Sequence, residues 1–352
     1  MGLLAPHGPH RVGTVEWRFV DTERPAYIGS AEVGRELYAK IWYPGVPAGQ
    51  DAERLWAELR ADANVPRAIR YVLKAVRTRT SSHPNAPLDA SARLSSVVVY
   101  NHGLISFASE NTSLMEHLAS RGYVAVALRH VEQMAELQAL SRNDSAAKRK
   151  ADAEAARRLQ SSAREERARL AVEYYRQSVN TNRIVSERAR DTALVLDRLA
   201  DALRRIPGGD EADLDLGAIH LVGFSVGGAV ASETAARDPR VASATNLDGG
   251  FYGTQPGLPI RQPYLMMYSA ANDGINDFLL PRHAVRHTPP STAHLNYHDI
   301  SALLPLLRYT GITGKADSRE LIAFRNRTVE AFIRSADEAR GSQHTPLPVD
   351  ST

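Results

Sequence analysis

Cysteine is missing altogether, which excludes disulfides, thiolate nucleophiles and zinc–thiolate sites. Long hydrophobic runs are missing as well, and no apolar stretch is long enough to span a bilayer. The opening Met1–Pro9 has no apolar h-region, so no secretory signal is visible. The chain therefore reads as cytoplasmic by default, or as secreted if an export signal has been removed. An excess of one charge is also lacking: 43 Lys and Arg stand against 40 Asp and Glu, a formal net charge of +3. That makes nucleic acid a poor partner despite a sequence pI of about 9.1. What is present is ordinary for a globular enzyme, with 43% hydrophobic and 24% charged residues, enough for a large core. The length suits one domain over about 1–340 carrying an insertion, followed by a disordered tail at 341–352.

The pattern along the chain changes three times. Val15, Trp17 and Phe19, then Leu37, Ala39, Ile41 and Tyr43, alternate as antiparallel edge strands would. Residues 47–92 are polar, with Pro66, Pro84 and Pro87 and one short amphipathic piece around Leu55, Leu59 and Val65, and read as an excursion over the surface. From Ser95 onward strand and helix alternate, with Val97–Tyr100, a helix through Leu114–Leu118, and Tyr123–Leu128. This predicts a mostly parallel sheet flanked by helices. The alternation stops between about 132 and 206. From Lys148 to Arg176 nine basic residues face five acidic ones among alanine and glutamine. This charged helical insertion, placed at about 132–185, fits a solvated hairpin, a cover over the active site, or a transient contact with a polyanion or membrane surface. Beyond it Val241–Leu247 and Tyr264–Ser269 predict two more strands, and Val329–Ile333 a closing helix.

One run carries chemistry. Ala218–Val230 reads as a buried strand, a sharp turn with Ser225 at its tip, and a helix of small residues. That geometry holds a nucleophilic hydroxyl above a parallel sheet, and Gly223 and Gly227 suit the tight packing it requires. A serine at neutral pH needs a base to take its proton and a carboxylate to orient the base. In an open α/β sheet both come from the carboxyl ends of later strands. Asp248 and Asp273 each follow a strand and precede glycine. Four histidines lie beyond: His283, His287, His294 and His298. His294 is the best placed, because Pro289–Thr292 leads as a loop toward a helix near Tyr297. His283 and His287 have the i,i+4 spacing of metal ligands on a helix, but no carboxylate pair nearby completes a set. No metal and no cofactor is expected. The oxyanion would be bound by the backbone N–H groups of Val226 and of Leu104, in the loop Asn101–Ile105. His102 reads as a brace for that loop rather than as the base.

Four segments resemble a known family: Arg35–Leu37 running into Ile41–Pro44; Asn101–Leu104; Gly223–Gly228; and His294–Asp299. Together they are similar to the platelet-activating factor acetylhydrolases of the plasma and isoform II type and their bacterial relatives in the α/β-hydrolase superfamily, over roughly 12 to 335. The resemblance implies an α/β-hydrolase fold and Asp248, not Asp273, as the acid. It also implies calcium-independent hydrolysis of an ester with a short or modified acyl group, on a small molecule or a phospholipid. The family's usual elbow has histidine before the serine and phenylalanine after it, where this chain has Phe224 and Val226. Ile105, Phe107, Phe224, Phe251 and Tyr252 are candidates for the substrate pocket, with core packing as the alternative use of Phe107, Phe251 and Tyr252.

The leading expectation is thus a serine esterase working through an acyl-enzyme, with Ser225, His294 and Asp248 as its triad. A cutinase-like or polyester hydrolase would use the same parts, since specificity lies in pocket shape. An inactive hydrolase-fold binding protein is the alternative of another class. Nothing in the sequence fixes an oligomeric state.

Overall fold

A computed structural model of the chain describes residues 2–56, 78–130, 146–209, 218–254, 257–309 and 313–343. Among these the strands form one nine-stranded sheet in the order β3-β1-β2-β5-β4-β6-β7-β8-β9. The strands are β1 (Val12–Pro25), β2 (Val33–Pro44), β3 (Ser82–Pro84), β4 (Val97–Asn101), β5 (Val124–His130), β6 (Ile219–Phe224), β7 (Val241–Leu247), β8 (Tyr264–Met267) and β9 (Val285–His287). From β5 to β9 every pairing is parallel, and β2 runs antiparallel to both β1 and β5. This is the α/β-hydrolase fold.

The central strands are apolar throughout because both faces are covered. Their period-two alternation divides the side chains between two cores. Val97, Val99, Leu221 and Ala244 point into one, beside Val195, Leu199 and Leu203 of the helices there. Val98, Tyr100, Val222 and Leu247 point into the other, beside Leu114, Leu118, Val329 and Ile333. The first layer includes α4 (Val179–Asp197) and α5 (Leu199–Leu203). The second is α1 (Thr112–Ser120) and the long closing helix α8 (Ser318–Gln343). Between β6 and β7 runs α6 (Val226–Arg237), a helix of small residues that lies close to the sheet: a Cβ on Gly228 would run into the Asn246 side chain of β7.

Three expectations need correction. The first two strands are not both at the edge: β2 is internal, its residues Leu37–Trp42 paired with β5, because an antiparallel strand can extend the parallel sheet sideways. The stretch after β2 is not wholly a surface excursion. Leu55, Trp56 and Ala86 are buried, β3 pairs with β1, and Tyr43 Oη donates to the Ala86 carbonyl at 2.8 Å. Leu59 and Val65 lie outside the described residues. Finally, His287 sits on β9 and His283 in the turn before it, so the two histidines share no helix face.

The insertion forms α2 (Ala146–Ser161) and α3 (Arg164–Gln177), which lead into α4. Its polar composition conceals one inward stripe: Leu159, Ala168, Ala171 and Tyr175 are buried, the rest of α3 being mostly exposed. The part of the expected insertion at 132–145, and most of the tail expected from 341, lie outside the described residues. A short α7 (Ile300–Leu303) precedes α8.

Candidate active site

At the carboxyl end of the sheet the turn after β6 puts Ser225 at φ 57° and ψ −122°, a conformation non-glycine residues rarely adopt. Such a backbone costs on the order of 1–3 kcal/mol and persists only where its surroundings enforce it. Here a Cβ on Gly223 would overlap the Gly227 carbonyl, and one on Gly227 would overlap the Asn101 carbonyl. Ser225 N–H donates to the Leu247 carbonyl at 2.9 Å, tying the elbow to the end of β7.

Asp248 follows β7 directly, also at positive φ (56°). Its side chain is completely buried and accepts three hydrogen bonds: Ser269 N–H at 2.6 Å, Asn272 Nδ2 at 2.8 Å and His294 Nδ1 at 2.8 Å. The opposite ring nitrogen, His294 Nε2, lies 2.9 Å from Ser225 Oγ. The imidazole thus bridges hydroxyl and carboxylate, with its side chain 40% exposed and open to a reactant. Phe224 stacks on it with ring centroids 4.8 Å apart and planes 27° apart, so the residue that departs from the resembled family's elbow supports the imidazole. His294 opens a 3-10 turn, His294–Tyr297, rather than sitting in a loop ahead of a helix.

Asp273 is not part of this set. It pairs with Arg164 and Arg286 and accepts a hydrogen bond from Thr288, all on the outer rim. The turn offering it as a competing acid supplies Asn272 instead, a donor to Asp248. Nothing in the spacing marked Asn272 or Ser269 for that work. An amide or a main-chain N–H beside a carboxylate has no sequence signature of its own.

The loop after β4 passes beside the elbow: a Cβ on Gly103 would stand 3.5 Å from Ser225 Cβ and 3.2 Å from the Phe224 ring. Among the described residues no acceptor is paired with the N–H of Leu104 or of Val226. Val226 is the first residue of α6, where unpaired N–H groups and the helix dipole favour negative charge. His102 is buried, and that burial together with the nearby Arg188 and His130 holds it well below the usual histidine range. It stays neutral, with Nδ1 2.7 Å from the Gly103 carbonyl and Nε2 accepting from His130 N–H at 3.3 Å. Its ring lies in the loop's support and not at Ser225.

The other pocket candidates separate. Ile105, at φ 55° and 63% exposed, lies in the loop after β4. Phe107 packs edge-on against Trp56 and His298, with centroids at 5.6 and 6.0 Å. Phe251 is buried near Tyr264, with ring centroids at 6.0 Å. Tyr252 joins an aromatic group with Tyr174 and Tyr175 of α3, 6.3 and 4.6 Å away. Tyr175 Oη donates to Asn276 Oδ1 at 2.6 Å, and Asn276 Nδ2 to the Gly249 carbonyl at 2.8 Å, so α3 is docked on the turn that carries Asp248.

Two buried ion networks flank the site. Asp191 of α4 receives Arg35 Nε and Nη2 at 2.7 and 2.9 Å, Arg24 Nη2 at 2.7 Å, and His130 Nδ1 at 2.8 Å. Burial alone would raise its pKa, but Arg35 and the hydrogen bond from His130 hold it well below the carboxylate range. His130, buried beside it, is pushed down to about 4, first by that burial. On the other side Arg325 of α8 donates to Asn111 Oδ1, the Tyr297 carbonyl, Ser113 Oγ and Asp299 Oδ1 at 2.6 to 3.2 Å. That cluster fixes the segment from His294 to Asp299. Arg35 and Asp299 belong to segments that carried the family resemblance, but only the fold reveals what they touch.

Among the described residues no three His, Asp or Glu side chains are grouped as metal ligands, and no helix is long and apolar enough to cross a membrane. The arrangement can polarise a hydroxyl, store its proton on an imidazole and return it.

The model of the family described as platelet-activating factor acetylhydrolase, isoform II, matches residues 7–344. Among solved structures, a ferulic acid esterase from Streptomyces cinnamoneus superposes with a TM-score of 0.70 at 22% identity, over 100% of this chain and 96% of that one. A protein assigned as a dienelactone hydrolase from Klebsiella pneumoniae subsp. pneumoniae gives 0.41 at 12% identity, over 90% and 99%. The first of these is a likeness of fold. No curated protein matches the chain in sequence.

Proposed function

The chain belongs to the platelet-activating factor acetylhydrolase, isoform II, family and is an ester hydrolase, and from this premise we propose that it cleaves carboxylic esters through an acyl-enzyme on Ser225. The observation that carries the reading is the single imidazole of His294 within 2.9 Å of Ser225 Oγ and 2.8 Å of Asp248. As Ser225 Oγ attacks the ester carbonyl, His294 Nε2 takes its proton, and Asp248 stabilises the imidazolium through Nδ1–H. The oxyanion is received by the N–H groups of Leu104 and Val226, which need no reorganisation because the main chain already fixes them. Collapse of the tetrahedral intermediate expels the alcohol, which leaves with the proton from His294. Water then attacks the acyl-Ser225 ester with His294 again as base, releasing the acid and restoring the serine.

The family name favours a short acyl group, and the docking of α3 beside the acid turn favours a confined acyl site. The substrate class is therefore an ester with a short or modified acyl chain, on a small alcohol or a phospholipid. Nitrophenyl esters from acetate to palmitate, compared with a short-acyl phospholipid and a polyester film, test this directly. We expect kcat/KM to be highest at acetate and to fall with chain length, with the short-acyl phospholipid cleaved. A rise toward palmitate, or a preference for the film, would contradict the short-acyl assignment and favour a cutinase-like enzyme.

A further inference from the structure

The mechanism leaves unused a fully buried carboxyl just behind the loop that carries Leu104. Glu110, in the 3-10 turn Ala108–Asn111, accepts Tyr100 Oη–H at 2.5 Å and Gly103 N–H at 3.0 Å on the same oxygen, Oε1. Tyr100 Oη in turn accepts from Asn111 Nδ2 at 2.7 Å. Asn111 Oδ1 accepts from Arg325 Nη1 at 2.7 Å and from Asp299 N–H at 3.2 Å. The main-chain carbonyl of Glu110 also accepts Asp299 N–H, at 3.3 Å. One residue thus touches the end of β4, the 103–105 loop and the segment that bears the histidine.

The consequence for the loop is geometric. Peptide units are planar and trans, so each carbonyl and the following N–H point in opposite directions. Glu110 fixes the plane between His102 and Gly103 by taking the Gly103 N–H. The next plane is fixed by His102 Nδ1, which donates to the Gly103 carbonyl at 2.7 Å and leaves the Leu104 N–H aimed the other way. With Gly103 N–H occupied, the Leu104 N–H remains as a donor in the loop that passes beside Ser225. We propose that Glu110 is a positioning residue for ester cleavage, holding the 103–105 loop in the orientation that presents the Leu104 N–H to the oxyanion. This rests on the reading of Leu104 and Ser225 given above.

Burial pushes the Glu110 carboxyl up to about 7, against the hydrogen bonds from Ser106, Tyr100 and Gly103 and the charge of Arg188. The groups that face it are Tyr100 on β4, Arg188 on α4, His298 Nε2 at 3.8 Å from Oε2, and Arg325 on α8 through Asn111. His298 accepts Ile300 N–H on Nδ1 at 2.9 Å and is held down to about 3, chiefly by burial, so it stays neutral while Glu110 titrates. The ionised carboxylate is the stronger acceptor for Gly103 N–H. Its hold on the loop is present above about pH 7 and weakens below.

The test is the ratio of wild-type to Glu110→Gln kcat on nitrophenyl acetate between pH 5.5 and 8.5, a ratio in which pH effects common to both enzymes cancel. Glutamine keeps the shape and the Oε1 acceptor but loses the charge. We expect a ratio of about 10 at pH 8.5 that declines toward 1 at pH 6, with KM within about twofold, a part of the 10²–10³ that losing an oxyanion donor outright costs. A ratio that is flat with pH, or a kcat loss that merely follows thermal stability, overturns the proposal. Tyr100→Phe gives a second test should the glutamine variant fold poorly: it keeps the bond to Gly103 but removes a donor that lowers the Glu110 pKa, so the acid limb of kcat moves to higher pH. An unmoved limb overturns the proposal as well. Ser225→Ala in the same assays separates the two claims. If it is inactive while the ratio is flat, only the positioning role fails; if it still turns over, the reading of the site fails too.

Discussion

Arg35 meets Asp191, and Arg325 meets Asp299, with every side chain 3% exposed or less, whereas α3 of the insertion is tied down by Arg164, 50% exposed, to Asp273 and Asp277, 30% and 31% exposed. Both arrangements are ion pairs at distances near 3 Å, yet they do different work. In the first, both charges are buried and hydrogen-bonded, so removing one partner leaves the other under-compensated in a low dielectric, most fully at Asp299, while Asp191 keeps Arg24. In the second, water and salt screen the charges, and pairs of this kind contribute roughly 0–1 kcal/mol each. The inner networks set the positions of the 294–299 segment and the loop after β4. The outer one holds a helix against the acid turn together with Arg167, which donates to the Ala271 and Asp273 carbonyls at 3.1 Å each, and with Tyr175, Ala171 and their apolar neighbours.

The sharpest test of this contrast sets the two rival acids against each other. Asp248→Asn, which keeps the packing but spoils the charge and tautomer control of His294, is expected to cut kcat by about 10⁴. Asp273→Asn, which affects only the outer ion pairs, is expected to leave kcat within about twofold. If Asp273→Asn proved the crippling change, the division between inner and outer charges would fail at its centre.

Arg325→Met should destabilise the protein by about 3–5 kcal/mol in denaturant titrations, since Asp299 is left buried without its cation. A loss below 1 kcal/mol would place this network with the surface pairs. Glu116 of α1 sharpens the comparison through pH. It is fully buried, accepts Ser81 N–H and Ser82 Oγ–H at 2.6 Å each, and is pushed up by burial from 4.5 to about 7. The folded state therefore keeps its proton to a higher pH than the unfolded state. Its contribution is full below about pH 4.5 and is lost as pH rises through about 7. The stability advantage of Glu116→Gln over wild type should accordingly grow by about 2–3 kcal/mol from pH 4.5 to pH 8, and a constant difference would contradict the shift. The smallest effect is expected for Arg164→Ala: under 1 kcal/mol in stability, with kcat on nitrophenyl acetate unchanged. A loss of several kcal/mol would show that the insertion is locked to the body of the enzyme.

The parts legible in the sequence are those with strong local signatures. The apolar runs of β4 and β6, the elbow at Ser225 and the proline-led approach to His294 each follow from periodicity or from a backbone requirement. Choosing Asp248 over Asp273 needed the family resemblance, because both follow strands and precede glycine and no local rule separates them. What stayed hidden depends on contacts between residues far apart in the chain. Arg325 reaches Ser113 across 212 residues and Arg35 reaches Asp191 across 156. In the same way β2 lies inside the sheet because β5 pairs with it, which its alternation cannot report. The buried stripe of α2 and α3 was obscured by composition: four inward residues spread over Leu159–Tyr175 are diluted by the charges around them.

The most direct measurement is stoichiometric labelling by a fluorophosphonate, with the modified peptide located by mass spectrometry. One label per chain at Ser225, absent from Ser225→Ala and slowed by orders of magnitude in His294→Ala, is the predicted result. Labelling at another residue, or full ester cleavage by the His294→Ala enzyme, would contradict it.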